Sequence, residues 1–161
     1  MKNFFLTLGL SVWFVPMLAQ HSSRQEILAP VHQVFRAMAA GDSALLSGSF
    51  HPDVRLITVT IDSAGRTRVH PESSLQPFRN AVARAGAGVF YEPIHHIRIR
   101  NSGAYAEVWA RYDFYLRGQF HHCGIDSFQL VQTSDGWKII QLTDTRETTG
   151  CRPSAKWKPK S

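Results

Sequence analysis

The sequence predicts an α+β fold in which N-terminal helices pack in the concave face of a long, strongly curved, mostly antiparallel sheet. In the first third of the chain, apolar residues recur every three or four positions, as on one face of a helix. After residue 88, four long segments of strand-like sequence follow one another, joined by the short turn sequences NSG, RG and SDG. Such turns connect antiparallel strands, and strands of this length twist into a curved sheet. A sheet that wraps around helices leaves a hollow at its open end, where we expect a ligand to bind.

The size and charge of the chain limit its class. With 161 residues, of which 43% are hydrophobic, the chain can form one domain with its own core. The formal net charge is +6, but four of the positive charges belong to Lys2, Lys156, Lys158 and Lys160 near the two ends. The rest of the chain therefore carries about +2, which is too little for a nucleic-acid-binding surface. We predict no nucleic-acid partner.

Residues 1–19 have the pattern of a signal peptide. Lys2 supplies the positive charge, the segment FFLTLGLSVWFV supplies the apolar core, and Ala19 is a small residue before the cleavage point. The alternative is a membrane anchor, but the apolar segment is shorter than the roughly 20 residues that a span requires. We therefore predict a secreted or periplasmic protein with no stable membrane insertion after signal removal. A single domain is expected over residues 22–149, followed by a basic C-terminal tail over residues 150–161.

The two cysteines, Cys123 and Cys151, both belong to the predicted mature chain. In an oxidising compartment they could form a disulfide that ties the tail to a strand. Two free thiols are the alternative, and the sequence does not decide between them. The cysteines lack the close spacing of a structural zinc site.

The first helix is expected over residues 23–40, where apolar residues form one stripe. Ser23 and Glu26 fit a capping box at its start, and Gly41 ends it. Asp42 then caps a short second helix. A strand over residues 53–61, a shorter strand ending near His70 and a third helix over residues 73–84 follow. The four long strands are expected at residues 89–100, 104–116, 120–133 and 137–145.

The segment FHHCGIDSFQL raises the question of which polar side chains share a face of the sheet. Phe128 and Leu130 most need burial, and side chains alternate along a strand, so His122 and Asp126 should point inward with them. His121 and Cys123 should then point outward. Three adjacent residues that face both sides cannot form one metal site, so we predict no metal.

The expected strand register brings His95 close to Asp126. A two-residue loop at 102–103 would place His95 opposite Ala110, and a three-residue loop at 117–119 would place Ala110 opposite Asp126. A two-residue loop at 117–118 would instead turn Asp126 to the other face. In the preferred register, His95 and Asp126 face each other across a small alanine.

Two interpretations of this pair stay open. A half-buried aspartate beside a histidine can transfer protons, or it can form a structural ion pair between strands. Tyr112 and His122 should stand nearby on the same face. Asp144 and Arg146, at the end of the last strand, are expected to hold the tail rather than to contact a ligand.

The segments GDSALLSGSFHPDVRL and HCGIDSFQLVQTSDGWKII resemble the nuclear transport factor 2-like superfamily, which has the SnoaL-like or cystatin-like cone fold. The late segment, through DTRETTGC, is similar to exported bacterial members of the putative lumazine-binding group. The resemblance covers about residues 25–151. It implies a conical fold with a ligand cavity, and a homodimer through the outer face of the sheet. The superfamily contains isomerases, dehydratases and cyclases as well as proteins that only bind, so the fold alone does not identify a function.

Two functions are therefore expected. The first is an exported small-molecule-binding protein that holds a partly apolar ligand, still unknown, through Tyr112, His95, His122 and Asp126. The alternative is a cofactor-independent lyase or isomerase of the dehydratase, ketosteroid isomerase or cyclase type. There Asp126 or His95 would remove a proton, and Tyr112 or His122 would stabilise the resulting oxygen. No phosphate loop, dinucleotide fingerprint or serine nucleophile elbow occurs, so we predict no cofactor.

Overall fold

The computed structural model describes residues 23–153, which form three helices and seven strands. The predicted signal peptide and the last eight residues of the predicted tail lie outside the described residues. The helices are α1 (Arg24–Ala40), α2 (Ser43–Ser47) and α3 (Gln76–Ala85). The strands are β1 (Phe50–Ile61), β2 (Thr67–Glu72), β3 (Phe90–Tyr91), β4 (Ile94–Ser102), β5 (Tyr105–Leu116), β6 (Gln119–Thr133) and β7 (Gly136–Arg146).

Helix α1 begins and ends as its sequence predicts. The Ser23 hydroxyl accepts a hydrogen bond from the Glu26 amide at 3.2 Å, and the Glu26 carboxylate accepts one from the Ser23 amide at 3.0 Å. These two bonds form the predicted capping box. Gly41 ends the helix with φ +67°, and a Cβ atom there would collide with the backbone of Gly86. Glycine is required at this position by both conformation and space.

All seven strands form one sheet in the order β2-β1-β7-β6-β5-β3, and β4 pairs with β5 beside β3. The pairing of β1 with β7 is parallel, and the others are antiparallel. The inner face of the sheet buries side chains against α1, among them Val108, Phe128, Leu130 and Ile139. Each such side chain stabilises the fold by about 1.5–3 kcal/mol. This is the predicted α+β architecture of helices packed on a long curved sheet.

The first predicted long strand is interrupted in the structure. Glu92 and Pro93 separate β3 from β4, and proline has no amide hydrogen to donate to a neighbouring strand. The break leaves Glu92 between two strand segments that both pair with β5.

The predicted register of β4 against β5 is wrong. Ser102 pairs with Tyr105, so the loop consists of Gly103 and Ala104 rather than residues 102–103. Gly103 has φ +56°, the conformation that a type II′ turn requires at its first loop position. A bulge between His95 and Arg98 shifts the register again, and His95 pairs with Arg111 instead of Ala110.

The predicted pairing of Ala110 with Asp126 is confirmed, although the loop that leads to it differs. Leu116 pairs with Gln119, so the loop has only two residues, both with positive φ. A bulge then makes His121 the extra residue on β6, because Phe114 pairs with His122 and Tyr115 with Phe120. A bulge of one residue reverses the face of everything that follows, so it returns Asp126 to the inner face.

Cys123 and Cys151 form a disulfide, with their Cα atoms 5.9 Å apart. The bond ties the first residues after β7 to β6, where Cys123 and Glu147 also exchange backbone hydrogen bonds of 2.8 and 3.0 Å. None of the helices within residues 23–153 has the length and hydropathy of a membrane span.

Candidate functional site

A cavity of about 400 Å³ lies between the inner face of the sheet and helices α1 and α3. This volume is in the range of sites that hold small organic molecules. Apolar side chains form most of its wall, including Phe35, Met38, Leu56, Phe78, Phe90, Phe114 and Leu142. Polar side chains gather at one end, namely Thr58, Glu92, Tyr112, His122, Asp126, Asp144 and Arg146. We call this polar end the cavity floor.

Two carboxyl groups meet on the floor. Asp126 is 3% exposed, and its carboxyl lies beside that of Glu92. Two adjacent carboxyl groups do not both ionise readily, because each negative charge disfavours the other. Burial raises the pKa of Glu92 to about 8, and the negative charge of Asp144 adds to the shift. Burial and the neighbouring Glu92 and Asp144 raise the pKa of Asp126 well above its usual range. The pair therefore holds a proton at neutral pH.

Asp144, directly opposite Asp126 on β7, has partners of its own. Thr58 donates a hydrogen bond to Asp144 Oδ1 at 2.6 Å, and Arg146 Nε donates one to Asp144 Oδ2 at 2.8 Å. Arg146 Nη2 also donates to Thr58 Oγ1 at 3.2 Å. The prediction that Asp144 and Arg146 hold the tail is therefore wrong: both line the cavity and join β7 to β1.

Tyr112 presents its ring rather than its hydroxyl to the cavity. The hydroxyl donates to the carbonyl of Thr145 at 2.7 Å, and burial raises the pKa of Tyr112. This carbonyl lies against Gly124, where a Cβ atom would collide with it. The glycine of the GID sequence thus allows the close approach on which the Tyr112 hydrogen bond depends.

His122 is neutral at physiological pH. Burial lowers the pKa of its imidazole to about 4, and the charge of Arg146 acts in the same direction. Its ring meets that of Tyr112 edge to face, with centroids 5.6 Å apart. Its Nδ1 lies 2.9 Å from Nδ1 of His121, which lines the cavity as well, although it was predicted to point outward. The bulge at His121 accounts for this difference.

The structure brings Tyr112, His122 and Asp126 together and places His95 elsewhere. His95 lies on the other face of the sheet, with its Nε2 atom 3.4 Å from Oδ2 of the buried Asp113. It lines a separate hollow beside the disulfide. The predicted pair of His95 and Asp126 is therefore corrected, because the bulge in β4 turns His95 away from the cavity.

Sequence reasoning missed Glu92, the partner of Asp126. Its signal was a lone acidic residue in the apolar segment VFYEPI, directly before a proline that cannot continue a strand. Within residues 23–153, no three histidine, cysteine or acidic side chains are grouped so as to hold a metal ion.

Three solved structures have folds similar to the fold of this chain. A Nostoc punctiforme protein of unknown function with a cystatin-like fold has a TM-score of 0.62 at 11% identity, over 78% of this chain and 92% of the other. A nuclear transport factor 2-like superfamily protein from Salmonella enterica serovar Typhimurium has a TM-score of 0.60 at 16% identity, over 81% and 95%. A protein from Novosphingobium aromaticivorans described as a putative aromatic ring hydroxylase has a TM-score of 0.57 at 14% identity, over 76% and 87%. Identities this low establish the fold alone.

No curated protein sequence matches this chain significantly. The family model described as "Putative lumazine-binding" matches residues 22–143, which is most of the chain. With the nuclear transport factor 2-like fold, the curved sheet and the cavity already established, this match shows that the chain belongs to the putative lumazine-binding family.

Proposed function

We propose that this protein is an exported small-molecule-binding protein that holds a partly apolar ligand in the cavity. One observation carries the proposal: a cavity of ligand size combines apolar walls with a floor where the carboxyl groups of Glu92 and Asp126 lie together. The walls favour an apolar body, since each Å² of apolar surface removed from water contributes about 25 cal/mol. The floor favours a polar group at one end of the ligand, which fixes its orientation.

Export is supported by the disulfide between Cys123 and Cys151, because such bonds persist in oxidising compartments. The signal-like sequence of residues 1–19 is consistent with it. N-terminal sequencing of protein from its native host should find a mature chain that begins near Gln20, and thiol labelling should find no free cysteine. Intact Met1 on that protein would contradict export.

The cavity can be tested with a pair of alanines on helix α3. Ala81 lines the cavity, whereas Ala83, two residues later, is exposed. In Ala81→Phe, the added ring should fill part of the cavity and abolish the fluorescence enhancement of the neutral apolar dye N-phenyl-1-naphthylamine. Wild type and Ala83→Phe should both enhance it. Equal enhancement in all three proteins, each folded by circular dichroism, would place the dye outside the cavity and contradict the proposal.

A second candidate function is a cofactor-independent lyase or isomerase. The specific observation that favours it is the Glu92–Asp126 pair, since a buried acid with a pKa near the working pH is suited to giving and taking protons. Asp126→Asn separates the two functions. A binding protein should lose about 1–2 kcal/mol of affinity, the typical contribution of one hydrogen bond. An enzyme should lose about 10²–10⁴-fold in rate while it still binds its substrate. Proton exchange on a panel of small ketones in D₂O, followed by NMR, measures the rate, and no exchange above buffer would reject the catalytic alternative.

A further inference from the structure

We infer that the cavity accepts an apolar primary amine whose ammonium group pairs with the carboxyl groups of Glu92 and Asp126. The inference rests on the proposed binding function and adds the chemical class of the ligand. The walls would hold the apolar body, and the floor would hold the charge.

The first argument is the balance of charge on the floor. On the floor, the three carboxyl groups of Glu92, Asp126 and Asp144 lie with one guanidinium, that of Arg146. Glu72 is a fourth acidic residue of the cavity lining, and the described lining contains no further arginine or lysine. Arg146 donates hydrogen bonds through Nε to Asp144 and through Nη2 to Thr58. Among the described residues, neither Glu92 nor Asp126 has a hydrogen bond or salt bridge to a cation, and a ligand can supply one.

The second argument is an unsatisfied atom. Asp126 Oδ2 is buried on the cavity floor and receives no hydrogen bond from any donor in residues 23–153. Buried carboxylate oxygens in folded proteins almost always accept hydrogen bonds. The hydrogen bonds of its neighbours go elsewhere: the Tyr112 hydroxyl donates to Thr145, and Arg146 donates through Nε to Asp144 and through Nη2 to Thr58. An ammonium group, which has three donors and a full positive charge, provides what this oxygen lacks.

The arrangement discriminates between ligand head groups. A carboxylate would add a fourth acidic group to the floor and should be rejected. An alcohol can donate one hydrogen bond but leaves the excess of acidic groups uncompensated. An ammonium satisfies both the hydrogen bonding and the charge, and charge-assisted hydrogen bonds are about twice as strong as neutral ones.

Binding of an ammonium should release a proton. Below pH 8, the pair of Glu92 and Asp126 carries a proton that the ammonium must displace. The other titratable groups of the cavity do not take over this role. Tyr112 and His122 titrate far from neutral pH, and Asp144 is joined to Arg146. His121 on β6 contacts His122, His70 on β2 contacts Thr60, and Glu72 on β2 is one further acid of the lining. Affinity for the amine should therefore rise between pH 6 and 8, by about tenfold per pH unit where one proton is released.

Isothermal titration calorimetry of the full mature chain with three probes tests the inference. The probes are 3-phenylpropylamine, 3-phenylpropan-1-ol and 3-phenylpropanoate, which share one apolar body. At pH 7.5 the amine should bind at least about tenfold more tightly than the alcohol, which corresponds to 1.4 kcal/mol. The carboxylate should bind most weakly. Comparison of phosphate and Tris buffers, which differ in ionisation enthalpy, should show the release of close to one proton with the amine and none with the alcohol.

Glu92→Gln is the informative variant, and Glu107→Gln is its matched control, because Glu107 lies on the opposite face of the sheet on β5. Glu92→Gln should weaken amine binding at least about tenfold and alcohol binding less than about threefold, since it removes a charge and keeps the shape. Glu107→Gln should change neither. Asp126→Asn serves as a second variant if Glu92→Gln does not fold.

The outcomes distinguish this inference from the proposed function. If the amine and the alcohol bind equally, or if the amine binds without releasing a proton, the amine inference is overturned and the binding function stands. If none of the three probes binds and the neutral dye fails as well, the proposed function is wrong and the amine inference falls with it.

Discussion

Two buried aspartates on neighbouring strands of this sheet have opposite surroundings. Asp113 on β5 is 2% exposed and faces His95 on one side of the sheet, beside the disulfide. Asp126 on β6 is 3% exposed and faces Glu92 and Asp144 on the other side, in the cavity. One acid lies next to a group that can carry positive charge, whereas the other lies next to two further acids.

The comparison separates a side of the sheet where the buried acid is paired from a side where the buried acids are grouped, which is the side of the proposed function. A buried carboxylate destabilises a protein unless it is paired, so pairing Asp113 with His95 is what stability requires. Grouping the carboxyl groups of Glu92, Asp126 and Asp144 does not stabilise the fold, because each acid makes the ionisation of the next less favourable. Strongly shifted acids in a cavity are typical of functional sites. The predictions that follow test this division.

The largest expected effect is on the outer side. Replacing both Cys123 and Cys151 with alanine should lower the free energy of unfolding by about 2–4 kcal/mol, because the disulfide restricts the unfolded chain. Urea denaturation of oxidised wild type and the double variant measures this loss. Binding of N-phenyl-1-naphthylamine in the cavity should be unchanged, and a large drop in dye affinity would show that the two sides are not independent.

The next prediction compares the two aspartates directly. Asp113→Asn should destabilise the protein by about 1–3 kcal/mol, because it weakens a buried charged contact. Asp126→Asn should leave stability unchanged or increase it at pH 8, because it removes an acid from a group of three. Both are measured by urea denaturation in the same buffer. Equal losses in the two variants would contradict the division between a stabilising and a functional side.

A smaller effect concerns the pH dependence of Glu92. Its pKa in the folded protein, about 8, is above the usual 4.5, so the folded state binds a proton that the unfolded state releases. The contribution of this proton to the free energy of unfolding is fully present below pH 4.5 and is lost as the pH rises through 8. Relative to Glu92→Gln, wild type should therefore lose about 2 kcal/mol of stability between pH 6.5 and 8.5. A difference between the two proteins that does not vary with pH would show that Glu92 is not protonated in the folded state.

The smallest expected effect concerns His122. Burial lowers the pKa of its imidazole to about 4, below the usual 6.5, so the unfolded state binds the proton more readily. This contribution to stability is present above pH 6.5 and is lost as the pH falls through 4, with a loss of about 1 kcal/mol already at pH 6. NMR titration of the imidazole ring protons should give a midpoint near 4. A midpoint near 6.5 would mean that the ring is open to water.

Local sequence signals were enough to predict the three helices, most of the strands and the face of Asp126. The capping box at Ser23 and Glu26, the left-handed Gly41 and the strand alternation are local signals, and each acts within a few residues. Asp126 shares the parity of Phe128 and Leu130, whose burial is worth several kcal/mol, so its face was predictable even though the loop before it was not.

Only the tertiary structure decided the composition of the site. A bulge inserts one residue and reverses the face of the strand beyond it, and the sequence carries little sign of where a bulge occurs. For this reason His95 was predicted on the wrong side of the sheet and His121 outside the cavity. The shifted pKa of Glu92 depends on burial and on Asp126 and Asp144, which lie more than 30 and 50 residues away along the chain. Local sequence patterns predict helices, strands and the faces of side chains, because the interactions that form them join residues close together along the chain. The charge environment of a cavity is a sum over groups that only folding brings together.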